Sequence, residues 1–347
     1  MGFDDVQRSA SERAGMRVHW NNGSADDQEA QAAVRSLLEE ELTADETVQI
    51  ALLNNRGLQA VYEELDIAQA DLVQAGLLKN PVFSGQVRFA TSGDGTAAVL
   101  DLTQEFVSLL FMPLRKGRAE AAFEAAKLRV TGAVLDLAGE ARAAFYQLQA
   151  AEQLLEMRRT VVEATQASYE LSKRLREAGN NRDLDVSNER ALHEQSKLDL
   201  AAAEAAVVQR REELNVIMGL WGADTDWRIA SRLPTIPSDE MPGDDLEHRA
   251  VEQSLDLAIA RREIEVAARA VGIARPLGLL AELDAGVAAE RELEGGWSVG
   301  PSISLPIPLF DQGQAAVGSA QARLRQAAER YAATAVSLRA GIRAAYA

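Results

Sequence analysis

Residues 81–118 read PVFSGQVRFATSGDGTAAVLDLTQEFVSLLFMPLRKGR, and this stretch decides the fold. From Pro81 to Ala90, Phe83, Val87 and Phe89 fall on one parity, with Ser84, Gln86 and Arg88 on the other. Period-2 alternation is strand patterning, because successive side chains leave a strand on opposite faces. The glycine-rich run Thr91–Thr96 predicts a turn. A second alternation follows, with Leu100, Leu102 and Phe106 set against Asp101, Thr103 and Glu105. The stretch therefore predicts a β-hairpin over 81–111 with one apolar and one polar face. Met112-Pro113-Leu114 closes its second strand.

Working outward, both flanks turn helical. Upstream, Thr43 followed three residues later by Glu46 has capping-box spacing, and predicts a helix over 43–78 that ends before Asn80-Pro81. Downstream, no proline interrupts Lys116–Ala178, which predicts one helix roughly 95 Å long at ~1.5 Å per residue. Leu148, Leu155, Val162 and Tyr169 recur every seven residues, the spacing of supercoiled packing. Gly179-Asn180-Asn181 breaks the helix, and Asp183 is expected to cap a returning helix. The return carries its own seven-residue track, Val186, His193, Leu200, Val207 and Leu214. An antiparallel helical hairpin over 116–219 follows. Residues 221–244 hold Trp221, Trp227, Pro234, Pro237 and Pro242, and read as a connector. Residues 1–42 read as a polar, extended N-terminal segment ending in a short helix near Ala30–Leu42.

The pattern then repeats at an offset near 200 residues. Leu58, Leu65, Ile67 and Ala68 match Leu257, Ile264, Val266 and Ala267. Pro113-Leu114 with Gly117 matches Pro308-Leu309 with Gly313. The second copy predicts a helix over 245–275, a hairpin over 279–307 containing Val299 and Ile303, and a long helix begun over 313–347. By self-comparison the remainder of a second helical hairpin is expected beyond Ala347, so the chain reads as a shortened or fragmentary one.

Bulk composition narrows the function classes. Among 347 residues 47% are hydrophobic but 5% aromatic, a mix suited to long helices packed through small side chains. A net charge of −17 repels phosphate backbones, so no nucleic-acid partner is expected. With no cysteine there is no disulfide, thiolate metal site or thiol nucleophile. No run of 18 apolar residues predicts a membrane-crossing helix. The start Met1-Gly2-Phe3-Asp4-Asp5 does not read as a signal peptide, and suggests either a cytosolic protein or a mature form. His193 sits on an interior helical track, a packing position, while His19 and His248 lack companions at ligand spacing. The six methionines are scattered. No metal site, cofactor or catalytic set is expected, and an enzyme is the least favoured reading.

The two-faced hairpins admit two accounts. The apolar face could pack on a soluble core, giving a helical interaction scaffold without channel activity. Alternatively it meets lipid while the polar face lines water, as in a membrane barrel. Four strands cannot close such a barrel, and open edges in lipid cost several kcal/mol per unpaired group, so several copies would be needed.

The order helix, hairpin, long helix, Gly turn, helix, duplicated, resembles the TolC-like outer-membrane efflux proteins. The residues that carry the resemblance are Pro308-Leu309-Phe310-Asp311-Gln312-Gly313-Gln314, Ala51-Leu52-Leu53-Asn54-Asn55, and Glu177-Ala178-Gly179 with Asp185-Val186. It covers about 43–347, and the N-terminal stretch and connector look similar to members working with heavy-metal and drug pumps. The resemblance implies a mainly α protein with a membrane β part. It implies a homotrimer in the bacterial outer membrane, with four strands per subunit in a 12-stranded β-barrel that continues into a periplasmic α-helical barrel. Phe83, Val87, Phe89, Leu100, Leu102, Phe106, Val299 and Ile303 would face lipid, and Ser84, Gln86, Asp101, Thr103 and Glu105 the lumen. Gly179, Asn180, Asn181, Asp183 and Asp185 would form the periplasmic tip. That tip would meet an adaptor (membrane fusion) protein and, through it, an inner-membrane pump, with Asp185 placed where some members use an acid to hold the entrance closed. Residues 1–42 and 221–244 would wrap the tunnel waist. The channel would be a passive conduit.

Overall fold

The computed structural model describes all residues except 1, 90, 92–94, 237–244, 278–282, 293–294, 306 and 347. Parts of the expected turns at 91–96 and 294–296, of the connector and of the start of the second hairpin lie outside the described residues. The chain divides into two compact units, one built mainly of Phe3–Glu63 and Val130–Pro242, the other of Glu64–Arg129 and Gly243–Ala347.

The first unit opens on helices α1 (Gly2–Ala14) and α2 (Asp26–Leu38); α1 replaces extended chain in the segment the sequence suggests, and the short helix expected near Ala30–Leu42 lies at α2. The polar composition hid the first of these two amphipathic helices, α1; the buried faces of the pair hold Val6, Ala10 and Val34. Between them, residues 17–21 form a strap held by side-chain amides. Gln49 accepts the N–H of Arg17 (3.2 Å) and donates to its carbonyl (2.8 Å). Gln59 does the same for Asn21 N–H (2.8 Å) and His19 carbonyl (2.9 Å). Each amide supplies both partners that a neighbouring strand would give.

Strand β1 (Glu41–Leu42) leads into α3 (Ala44–Asn54), where Thr43 and Glu46 form the capping box. The single helix expected over 43–78 is broken at Asn55, and α4 (Arg56–Ala75) follows. Asn55 is extended (φ −64°, ψ 118°), and its side chain accepts the N–H of Leu58 at 2.8 Å, capping the new helix. Helix α5 (Val107–Glu177) returns from the second unit and α6 (Asp183–Met218) runs back against it. A short 3-10 turn (Gly222–Thr225) and strand β4 (Arg228–Ile229), parallel to β1, complete this unit. Its core gathers Leu42, Ile50, Phe145, Leu148, Leu214, Met218 and Trp227. Full burial of each large apolar side chain is worth about 2–3 kcal/mol. Trp227 anchors it: the indole N–H donates to Asn215 Oδ1 at 2.7 Å and the Arg211 guanidinium lies 4.0 Å from the ring.

The second unit contains β2 (Val82–Phe89), β3 (Thr96–Glu105), α7 (Leu246–Gln253), α8 (Leu255–Leu277), β5 (Asp284–Arg291), β6 (Trp297–Ser304) and α9 (Gln314–Tyr346). The helix expected over 245–275 is broken at Ser254, whose backbone (φ −64°, ψ 123°) matches that of Asn55. Ser254 Oγ accepts the N–H of Leu257 at 3.2 Å, the counterpart of the bond from Leu58. The strands form one antiparallel sheet in the order β2-β3-β5-β6. The second strand stops at Glu105, short of the expected limit at 111, and the long helix starts at Val107 and passes through Pro113. Phe106 therefore sits between strand and helix, not on the strand.

Candidate functional site

The sheet register sorts its side chains into two faces. Phe83 stands opposite Leu102, which stands opposite Val287 and then Pro301. The next row on that face is Gly85, Leu100, Ala289 and Val299, followed by Val87, Ala98, Arg291 and Trp297. Ile303 joins the same face opposite Ala285, and Phe89 lies opposite Thr96. The face is apolar and uncovered: Phe83 is 68% exposed, Val299 71% and Ile303 75%. Among the described residues these side chains fill no protein core. Phe106, expected among them, is half exposed at the strand end instead.

The opposite face carries Ser84 with Asp101, Gln86 with Val99, and Thr103 with Gly286 and Ser302. Glu105 lies opposite Asp284 on the same side. Ser302 donates to Asp101 at 3.1 Å, and Arg88 lies 3.5 Å from Glu290. Gly286 is the small residue this packing requires, since a Cβ there would lie 2.2 Å from the Leu102 carbonyl oxygen. Lys79 pairs with Glu105 at the sheet end.

In the first unit, the turn between α5 and α6 gathers the five predicted tip residues. Gly179 takes φ +80°, and Asn180 N–H reaches back to the Leu175 carbonyl at 2.8 Å, closing the helix as a left-handed glycine cap. Asn181 Nδ2 donates to Ser172 Oγ at 2.7 Å. Asp183 is the first helical residue of α6 and not its cap; Arg182 holds the cap position. Arg176 donates to both oxygens of Asp183, at 2.5 and 3.0 Å. Arg182 does likewise to Asp185, at 3.0 and 3.1 Å, and Asp185 also accepts the Arg182 N–H. These arginines hold both carboxyls below the usual carboxylate range. Sequence reading missed Arg176 and Arg182; base and acid seven apart across the Gly turn, and three apart just after it, were the available signal.

Along the hairpin, His193 is buried against Thr165, with Nδ1 3.3 Å from Oγ1, and its ring stacks on Tyr169. Ser196 completes this cluster, 2.8 Å from Thr165. Among the described residues no three His, Cys, Asp or Glu side chains gather as a metal site, and no helix is long and apolar enough to cross a membrane.

Two further residues went unnoticed as a pair with a task. Asn54 donates to the carbonyls of Met218 (3.0 Å) and Gly219 (2.8 Å), and Asn55 to that of Ile217 (2.8 Å). They satisfy carbonyls that the end of α6 leaves without helical partners. Gly219, at φ +68°, is tight enough that a Cβ would lie 2.7 Å from the Asn54 carbonyl oxygen.

A two-faced antiparallel sheet carried with a long antiparallel helical hairpin, in a chain built of two similar halves, defines the fold of TolC-like outer-membrane channels. The chain belongs to the outer membrane efflux protein family, whose profile matches residues 47–220. Members of this family are channel proteins rather than enzymes. It is similar to the cobalt-zinc-cadmium resistance protein CzcC of Cupriavidus metallidurans, 24% identical over 301 residues, covering 86% of this chain and 70% of that protein. The fold is that of the Campylobacter jejuni CmeC outer membrane channel (TM-score 0.68, 15% identity, 95% of this chain and 74% of that one). It is also that of a membrane protein from Pseudomonas aeruginosa (TM-score 0.66, 20% identity, 88% and 74%).

Proposed function

We propose that this chain is the outer-membrane channel subunit of a tripartite efflux system. Three copies pool four strands each into a twelve-stranded barrel, continued by a periplasmic tunnel of helices. The tunnel is a passive conduit for small molecules or metal ions, and energy comes from an inner-membrane pump reached through a periplasmic adaptor at the Gly179–Asp185 tip. Residues 1–42 and 221–244 wrap the tunnel waist. The name of the Cupriavidus relative supports metal ions such as cobalt, zinc or cadmium as the cargo.

The observation that carries this reading is the uncovered apolar face. A water-soluble scaffold would leave Phe83, Leu102, Val287 and Val299 in water as one contiguous patch, larger than soluble proteins ordinarily tolerate. Facing lipid, the same row is stabilising, and Ser84, Asp101 and Thr103 line the lumen. Strands β2 and β6 are the sheet edges, and neighbouring copies pair them where bare edges would cost several kcal/mol per group.

The sequence has no cysteine, so single thiols report cleanly. In reconstituted protein, Leu102→Cys is expected to resist a water-soluble maleimide while a fluorophore there is quenched by brominated lipid. Thr103→Cys, its neighbour in sequence, is expected to react from the aqueous side. Equal reaction of both, with no single-channel conductance, would favour the soluble scaffold.

A further inference from the structure

Each strand of the sheet holds only 8 to 10 residues. At ~3.3 Å per residue and a tilt of about 40°, eight residues rise roughly 20 Å, short of the ~25 Å apolar band of an outer-membrane barrel. The register shows where the shortfall is made up. β2 begins, β3 ends, β5 begins and β6 ends at one end of the sheet, because Val82 pairs with Thr103, Glu105 with Asp284, and Asp284 with Ser304. The chain just beyond that end is apolar and exposed: Leu77 and Leu78 before β2, Leu110 (70% exposed) after β3, and Leu309 and Phe310 (93% exposed) after β6.

On α5, cations follow Leu110. Lys116 and Arg118 are exposed on α5, six and eight residues past Leu110, and neither has a carboxylate partner among the described residues. An apolar ring followed by uncompensated cations on long stems matches the boundary where acyl chains give way to phosphate headgroups.

We propose that the strand-to-helix end of the sheet is a lipid-binding collar, in which the exposed leucines and Phe310 sit among acyl chains and Lys116 and Arg118 hold the headgroups of anionic phospholipids. This rests on the membrane-barrel reading, and assigns the partner at its periplasmic rim.

The test uses the full chain and the double variant Lys116→Gln/Arg118→Gln. Both are bound to vesicles of phosphatidylethanolamine alone and to vesicles with added phosphatidylglycerol, with particle mass and conductance measured in parallel. Each cation near an anionic surface contributes about fivefold, so the double variant is expected to bind the anionic vesicles roughly thirtyfold more weakly. Mass, conductance and binding to neutral vesicles are expected to stay unchanged. Equal binding of both proteins to anionic vesicles, with conductance intact, overturns the collar and leaves the channel reading standing. Loss of oligomer mass in the variant overturns it differently, assigning the cations to contacts between copies of the chain. Absence of conductance in both proteins would tell instead against the channel reading.

Discussion

The two halves of the chain agree at one junction and part at another. Each has a helix broken by a single extended residue, Asn55 in the first and Ser254 in the second, and each break is capped by that residue's own side chain. The strand-to-helix junctions differ. After β3 the helix starts two residues on, at Val107, and runs through Pro113. After β6 the described residues up to Gly313 are irregular and α9 starts at Gln314. Proline count explains the difference. A residue before proline is pushed out of the helical region. In the second half Leu305 precedes Pro306 and Ile307 precedes Pro308, so two positions in three are barred. In the first half only Met112 is so placed, and the helix has already formed a turn and a half before Pro113. Helix resumes in the second half only after Gly313 (φ +76°), whose N–H bonds Asp311 Oδ1 at 2.8 Å. The comparison teaches that a shared Pro-Leu motif does not set the boundary; its neighbours do.

The comparison is broken most directly at the prolines. Pro113 withholds one helical hydrogen bond and crowds the carbonyl of Leu109, a cost of about 3 kcal/mol in a helix interior. Pro113→Ala is therefore expected to raise the thermal unfolding midpoint, read by circular dichroism. Pro308→Ala, outside any helix, is expected to leave it nearly unmoved. Equal effects would mean the two junctions are alike after all. The capped breaks come next in size. Asn55→Ala loses the cap on Leu58 and leaves the Ile217 carbonyl without its partner, about 2 kcal/mol in sum. Ser254→Ala loses a single longer bond, about 1 kcal/mol. Reversal of that order would show that the bond across to α6 contributes little.

How far the sequence could be read depends on the range of each interaction. The strands were legible because alternation is written into adjacent residues, and the register then placed Phe83, Leu102 and Val299 on one face. The duplication was legible as well, since Leu58 and Leu257 keep equivalent buried places. The break at Asn55 was not. Asn54 and Asn55 serve carbonyls more than 160 residues away, and no local pattern records such a debt. The first N-terminal helix, α1, escaped because its polar surface outweighs a narrow buried stripe. The start of α5 was misplaced because Pro113 was read as a stop, whereas six helical residues already precede it. Asp183 was taken for a cap because acids favour helix starts; its carboxylate is instead turned to Arg176.

The smallest expected effect lies at the hairpin tip of the first half, where the pairs Arg176–Asp183 and Arg182–Asp185 are exposed to solvent. Both carboxyls are held below their ordinary range by the facing guanidinium. A depressed carboxylate contributes stability above its unfolded pKa, near 3.9 for aspartate, and loses it as pH falls through the lower folded value. From pH 8 down to about pH 5 the tip should therefore be indifferent to acid, and it should loosen only below about pH 4. Solvent and salt screen such pairs, so the loss is local and global unfolding barely moves. Amide hydrogen exchange is the suitable measure. Asp183→Asn at neutral pH is expected to speed exchange around Ser172–Ser187 while amides near Trp227 stay protected. A tip that loosens already between pH 5 and pH 7 could not be governed by these two aspartates.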